Sequence, residues 1–74
     1  MNKKKVICKR LKFDNFTIIA GYYEYHDNGE TYYNTFATRK KGSERLSMES
    51  RITLHTLGDA IISYEQLINE IKGK

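Results

Sequence analysis

The stretch FTIIAGYYEYHDNGETYYNTFATRK, residues 16–40, decides the fold of this 74-residue chain. Two aromatic-rich runs flank Asn28-Gly29, a pair typical of two-residue hairpin turns, because both central positions of such a turn need a positive φ. A turn at this point pairs Tyr25 with Tyr32 and Gly21 with Phe36. Since side chains alternate between the two faces of a sheet, this register predicts which residues share a face.

A second tight turn is expected at Asp14-Asn15, between an alternating run from about Lys4 and the run that starts at Phe16. This turn pairs Leu11 with Ile18. Together, the two turns place mostly apolar side chains on one face, the predicted core face. Its members are Ile7, Leu11, Phe13, Phe16, Ile18, Ala20, Tyr22, Tyr33 and Ala37, with Lys9, Glu24, Thr35 and Arg39 toward its edges. The opposite face carries Val6, Cys8, Arg10, Lys12, Thr17, Ile19, Gly21, Tyr23, Tyr25, Tyr32, Asn34, Phe36, Thr38 and Lys40.

The last third of the chain predicts one more strand and a helix. Apolar and polar residues alternate over about 46–55, which favours a fourth, shorter strand. From Leu54 to Ile71 apolar residues recur at steps of three and four, which predicts a helix over about 57–72. Thr56 suits its N-cap and Gly73 its C-terminal end. A short strand at 60–62 followed by a helix from Tyr64 is the alternative.

The predicted fold class is therefore α+β, with a three- or four-stranded antiparallel β-meander packed on one C-terminal α-helix. We expect one small domain over 1–74, because a chain this short buries only about 60% of the surface that its unfolded form exposes. Residues 1–4 are expected to form a flexible basic N-terminus. The strands are expected at about 5–13, 16–26, 31–40 and 46–55.

Basic residues are concentrated in the front half of the chain. The net charge is +4, and residues 1–12 contain six Lys or Arg and no acid. A second basic group, residues 39–45, surrounds the single acid Glu44. This distribution indicates a side that faces a polyanion. The single cysteine, Cys8, favours a reducing, cytoplasmic location. No apolar run approaches the roughly 20 residues of a membrane span, so no membrane partner is expected.

The sequence gives no support for catalysis, a metal site or a cofactor. The one cysteine and two distant histidines, His26 and His55, cannot form a closed tetrahedral metal site. No glycine-rich phosphate loop or nucleophile motif is present. We therefore expect a protein that is not an enzyme and that acts by binding.

A basic, aromatic sheet face predicts binding to DNA or RNA. Aromatic rings offer stacking surfaces to unpaired bases, and Lys and Arg neutralise phosphates. The expected flexible segment 3–5 would add further positive charge. Tyrosines and Phe36 are expected to contact bases or a groove. The candidate binding residues are Arg10, Lys12, Tyr23, Tyr25, Tyr32, Phe36, Arg39, Lys40 and Lys41, of which Arg39 is predicted to point toward the helix side.

Two resemblances accompany this prediction. Three antiparallel strands followed by a C-terminal helix, over roughly residues 5–72, resemble the arm-binding domains of tyrosine-type integrases in the order of their elements. That resemblance implies a sheet that enters the major groove of duplex DNA. The ending Ala60-Ile61-Ile62-Ser63-Tyr64-Glu65-Gln66-Leu67 resembles the last strand and helix of dimeric, single-strand-binding transcriptional coactivators. No residue role is carried over from either family.

The alternative hypothesis is a protein-binding inhibitor or regulator of the kind that phages and mobile elements encode, such as an inhibitor of a host nuclease or defence complex. Its partner would be a host protein or nucleoprotein complex, contacted through the same face, since Tyr and Arg are enriched at protein interfaces. Homodimerisation through that face, or through an unpaired strand edge, is also compatible with the sequence.

Overall fold

The computed structural model describes residues 2–74 and shows four strands in one antiparallel sheet, ordered β1-β2-β3-β4, followed by one helix. The helix packs across β2, β3 and β4 on one face of the sheet. The α+β fold class predicted from the sequence is therefore confirmed. The elements are β1 (Asn2–Lys12), β2 (Thr17–Asp27), β3 (Glu30–Lys41), β4 (Glu44–Glu49) and α1 (Leu57–Lys72).

The β2–β3 hairpin has the register that the Asn-Gly pair predicts. Asn28 and Gly29 both have positive φ, 52° and 80°, as a two-residue turn of this type requires. Tyr25 consequently pairs with Tyr32. The same register holds along the whole hairpin, so the predicted faces of β2 and β3 are correct.

The β1–β2 pairing follows the predicted register at one end only. From Lys12 back to Lys9 the pairs are as expected, and a β-bulge between Ile7 and Lys9 then shifts every earlier pair by one residue. Cys8 is the extra residue. Its side chain lies near Tyr64 on the helix side, where it raises the pKa of the Tyr64 hydroxyl, and not on the opposite face, where the sequence placed it.

The bulge exchanges the faces of Val6 and Ile7. Ile7 was predicted in the core opposite Tyr22, but it lies opposite Gly21 on the other face and is 40% exposed. Val6 takes the place opposite Tyr22. The strand also starts earlier than predicted, because residues 2–4, expected to be flexible, pair with β2. Residue 1 lies outside the described residues.

The core lies between α1 and the middle of the sheet. One buried polar residue belongs to it: Thr35 is fully buried, and its Oγ1 lies 2.7 Å from Ser63 Oγ on the helix. The buried apolar residues of this cluster are Ile18, Ala20 and Ala37 on the sheet and Tyr64, Leu67, Ile68 and Ile71 on the helix, with Leu11, Phe13, Phe16 and Met48 at its margin.

The helix begins and ends at its predicted caps. The Thr56 side chain accepts a hydrogen bond from the Asp59 amide, and the Gly73 amide donates to the carbonyl oxygens of Glu70 and Ile71. These contacts satisfy groups that a helix leaves unpaired at each end. The alternative of a strand at 60–62 is wrong.

Strand β4 is shorter than the predicted range of 46–55. It ends at Glu49 because Ser50 pairs differently with Thr35: the Ser50 amide donates to the Thr35 carbonyl, while the Thr35 amide donates to the Ser50 hydroxyl. The side chain has replaced a backbone acceptor, so the regular ladder stops. A single bridge between Tyr33 and Leu54 follows.

Candidate nucleic-acid interface

One face of the sheet is covered by α1, and no element of residues 2–74 packs on the other, which we call the open face. The strand register determines its members. They are Lys3, Lys5, Ile7, Arg10 and Lys12 of β1; Thr17, Ile19, Gly21, Tyr23, Tyr25 and Asp27 of β2; Glu30, Tyr32, Asn34, Phe36, Thr38 and Lys40 of β3; and Arg45, Ser47 and Glu49 of β4.

Four cations gather at one end of the open face, which we call the cationic end (Arg10, Lys12, Lys40 and Arg45). Lys12, Lys40 and Arg45 belong to one row across the sheet, and Arg10 stands in the next row. Neighbouring strands are about 4.8 Å apart, so these charges are close together. Within residues 2–74 none of the four has an ion-pair partner. A polyanion would relieve their mutual repulsion.

Three tyrosines form the aromatic end of the same face (Tyr23, Tyr25 and Tyr32). The rings of Tyr25 and Tyr32 stack with centroids 5.1 Å apart and planes at 10°. This pair follows directly from the hairpin register, because the two residues face each other across β2 and β3. All three side chains are half-buried.

Lys3 and Lys5 lie over these rings. The Lys3 Nζ is 4.4 Å from the Tyr23 ring centroid and 5.8 Å from that of Tyr25, and the Lys5 Nζ is 5.0 Å from the Phe36 centroid. Sequence reasoning treated these lysines as flexible and missed their place on the sheet. The glycine at position 21, opposite the bulge, was the feature of the sequence that could have indicated the irregular pairing of β1, since glycine within a strand often marks a close approach of another backbone.

Phe36 differs from the tyrosines because it is only 4% exposed. The Tyr23 ring packs against it with centroids 5.1 Å apart, and Lys5 lies above it. Phe36 was predicted to contact bases or a groove from an exposed position. In the structure it packs against Tyr23 from the neighbouring strand and is not itself an exposed contact surface.

Arg39 and Lys41 lie away from the open face. The Arg39 guanidinium donates to the carbonyl oxygens of Ile71, at 3.3 Å, and Lys74, at the C-terminal end of α1. A cation there complements the helix dipole. Lys41 lies opposite Glu44 beside the β3–β4 turn, in register with the helix side. The structure therefore brings together seven of the nine predicted site residues on one face and leaves these two on the other.

The acids of the open face lie away from the cationic end. Asp27 and Glu30 occupy opposite positions in the β2–β3 register, beside the turn. Glu49 is the last residue of β4 and lies opposite Phe36. The face thus changes from positive at one end, through rings and lysines, to an acidic tip.

A short hydrogen-bond chain occupies the helix side of that tip. His26 Nε2 lies 2.8 Å from Glu24 Oε1, and Thr31 Oγ1 lies 3.1 Å from His26 Nδ1. His26 is exposed, and the three side chains link neighbouring strands. No group of three or more His, Cys, Asp or Glu within residues 2–74 is arranged to hold a metal ion.

No protein-family model, curated protein or solved structure matches this chain. The resemblance of residues 60–67 to a strand followed by a helix is also wrong, because that whole segment is helical. Four strands, one more than the order that resembles the arm-binding domains, precede the helix. In the described part of the chain, no helix combines the length and apolar character that crossing a bilayer requires.

Proposed function

We propose that this chain is a non-enzymatic nucleic-acid-binding protein that uses its open face. One observation carries the proposal: the face without a helix combines a cluster of cations that have no ion-pair partners among residues 2–74 with a group of partly exposed tyrosines. Exposed apolar surface rimmed by polar residues often marks a binding site. DNA and RNA both provide the phosphates and ring systems that the face fits.

The cationic end would bind the phosphates. Arg10, Lys12, Lys40 and Arg45 come from three different strands, so the sheet holds their backbone positions fixed before a ligand arrives. Such preorganisation reduces the entropy cost of binding. Each neutralised phosphate also releases condensed counterions, which makes the affinity depend steeply on salt.

The aromatic end would bind the bases. Stacking on an aromatic side chain contributes about 1–3 kcal/mol per base and tolerates any sequence. Tyr25 and Tyr32 already form a stacked pair, and Phe36 fixes the position of Tyr23. The aromatic end therefore adds affinity that salt does not remove.

Fluorescence anisotropy with labelled single- and double-stranded oligonucleotides at about 50 and 200 mM salt tests this proposal. Four phosphate contacts predict a loss of affinity of about 50-fold for a single strand and about 150-fold for a duplex over that range. Absence of binding to either oligonucleotide at the lower salt concentration would refute the proposal.

The chain offers a charge-matched control on the same strand. Lys4 and Lys9 belong to β1 but face the helix side, whereas Arg10 and Lys12 face the open side. Arg10→Ala/Lys12→Ala should weaken binding and reduce the slope of log affinity against log salt by the amount that corresponds to about two phosphate contacts. Lys4→Ala/Lys9→Ala should have a much smaller effect on both. Equal effects of the two variants would mean that total charge, and not the open face, determines binding.

A protein-binding inhibitor or regulator, of the type that phages and mobile elements encode, is the second candidate. The packing of Tyr23 against the buried Phe36 favours it, because this contact makes Tyr23 a rigid aromatic anchor of the kind that is typical of a protein hot spot. Binding of a host protein through such a contact would change little with salt. A pull-down at about 200 mM salt with wild-type chain and a Tyr23→Ala variant would separate the two functions.

A further inference from the structure

We infer that the nucleic acid bound by the open face is a single strand, with its phosphates along β1 and across the cationic end and its bases over the rings of β2 and β3. This inference rests on the proposed function and specifies its ligand. Three features carry it: the width of the sheet, the position of the acids and the order of side chains from β1 to β3.

The cationic end is too wide for a duplex groove. Four hydrogen-bonded strands meet in the row that contains Lys12, Lys40 and Arg45. With about 4.8 Å per step, the outer strand axes are about 14 Å apart before side chains are counted. The major groove of B-DNA is about 12 Å wide and admits a helix or a two-stranded ribbon. The face can therefore lie against a nucleic acid but cannot enter the groove with its cations.

The narrower end of the sheet carries the wrong charge for groove insertion. Strand β4 stops at Glu49, opposite Phe36, and beyond the single bridge between Tyr33 and Leu54 only β1, β2 and β3 continue toward the β2–β3 turn. That tip presents Asp27 and Glu30 on the open face. Carboxylates at the leading end would be repelled by the phosphates on both sides of a groove.

Cations and rings form two parallel rows along the sheet. The first row belongs to β1, which presents Lys3, Lys5, Arg10 and Lys12 on the open face. The second row consists of the tyrosines of the aromatic end on β2 and β3, immediately beside it. A strand that follows β1 with its backbone would direct its bases over these rings. Only an unpaired strand exposes base faces for that contact, since a duplex hides them in its own stack.

The resting positions of Lys3 and Lys5 agree with this arrangement. Both ammonium groups lie over ring faces, with the Lys3 Nζ 4.4 Å from the Tyr23 centroid. Each lysine has a long flexible stem and is exposed. A phosphate beside β1 would attract the ammonium group away from the ring and uncover the surface on which a base stacks.

The experiment compares an unstructured oligothymidine of about 12 nucleotides with the matching dA·dT duplex by anisotropy at about 50 mM salt. We expect the single strand to bind at least about 10-fold more tightly, since stacking adds to the phosphate contacts. Tighter binding of the duplex would overturn this inference and leave the proposed function standing. Failure to bind either ligand would overturn both.

Two variants give a second measurement that does not depend on removing a ring from the sheet. Lys3→Gln/Lys5→Gln keeps the long side chains and removes two charges from the open face. Lys4→Gln/Lys9→Gln removes two from the helix side of the same strand. For oligothymidine, the first should lower the salt slope by about 1.4, corresponding to two lost phosphate contacts, and the second should leave it nearly unchanged. Identical slopes for the two variants would refute the placement of phosphates along the open side of β1.

Discussion

Gly21 and Val6 approach so closely that a Cβ atom built on Gly21 would lie 1.9 Å from the Val6 carbonyl oxygen. The bulge around Cys8 moves the β1 backbone into the space that a side chain would need. A Cβ at position 21 would also lie 3.0 Å from the Cys8 amide nitrogen and from Ile7 Cα. All of these neighbours are main-chain atoms, so only glycine fits opposite this bulge.

Gly21→Ala should therefore lower the free energy of unfolding by about 3 kcal/mol, the upper part of the range for overpacking, because backbone atoms must move. Urea unfolding followed by circular dichroism measures this. Gly58→Ala is the matched control: Gly58 lies in α1, no atom of residues 2–74 outside its own turn of helix lies within 4 Å of its Cβ position, and the change should be neutral or stabilising by up to about 1 kcal/mol. Equal stability of the two variants would contradict the close approach.

The buried hydroxyl pair between sheet and helix predicts a non-additive response. Ser63→Ala leaves the buried Thr35 hydroxyl without its 2.7 Å partner and should cost about 1–3 kcal/mol. Adding Thr35→Val replaces the unsatisfied hydroxyl with a methyl group and should recover part of that loss. Urea unfolding of the two single variants and the double variant measures the coupling. Strictly additive losses would mean that the two hydroxyls do not depend on each other.

Arg39 and its neighbour Lys40 should separate stability from binding. Arg39→Ala removes hydrogen bonds to carbonyls at the C-terminal end of α1 and should cost about 1 kcal/mol, while oligonucleotide affinity changes by less than about two-fold. Lys40→Ala should change stability by less than about 0.5 kcal/mol and reduce the salt slope by about one contact. Unfolding and anisotropy on both variants test the pair, and the reverse pattern would remove Lys40 from the interface.

Alkaline pH should destabilise the fold through Tyr64. Burial raises the pKa of the Tyr64 hydroxyl above its ordinary value of 10.0, and the neighbouring Cys8 raises this pKa further. The folded state then keeps the proton more tightly than the unfolded state does. This contribution to stability is complete below about pH 10 and is lost as the pH rises through the folded-state pKa.

The measurement compares urea midpoints of the wild type and Tyr64→Phe at about pH 8 and pH 11. Between these values the wild type should lose more stability than Tyr64→Phe does. Burial also raises the pKa of Tyr22, but Tyr22 is present in both proteins, so its effect largely cancels. Parallel losses in the two proteins would show that Tyr64 does not cause the alkaline destabilisation.

The parts of the fold that follow from local chemistry could be predicted from the sequence. Asn28-Gly29 determines the β2–β3 register because few residue pairs accept two positive φ angles. Thr56 and Gly73 mark the helix ends because they satisfy unpaired backbone groups. The open face of β2 and β3, with its tyrosines, follows from that register.

The parts that depend on contacts distant in sequence could not be predicted in the same way. Val6 and Ile7 are both β-branched and apolar, so a shift of one residue keeps an apolar side chain on either face and leaves the hydrophobic pattern unchanged. The early end of β4 depends on Ser50 meeting Thr35, fifteen residues away. The burial of Phe36 depends on Lys5, whose face is determined by the bulge.

The bulge also determines which face of the sheet the positively charged side chains of β1 occupy. Arg10 and Lys12 have even numbers and Lys3 and Lys5 have odd ones, so a regular strand would direct the two pairs in opposite directions. One extra residue, Cys8, places all four cations on the same face. A relative that kept the same surface would need both this insertion in one strand and the glycine in the next. The two positions would therefore be gained or lost together during evolution, although neither contacts the ligand that the surface is proposed to bind.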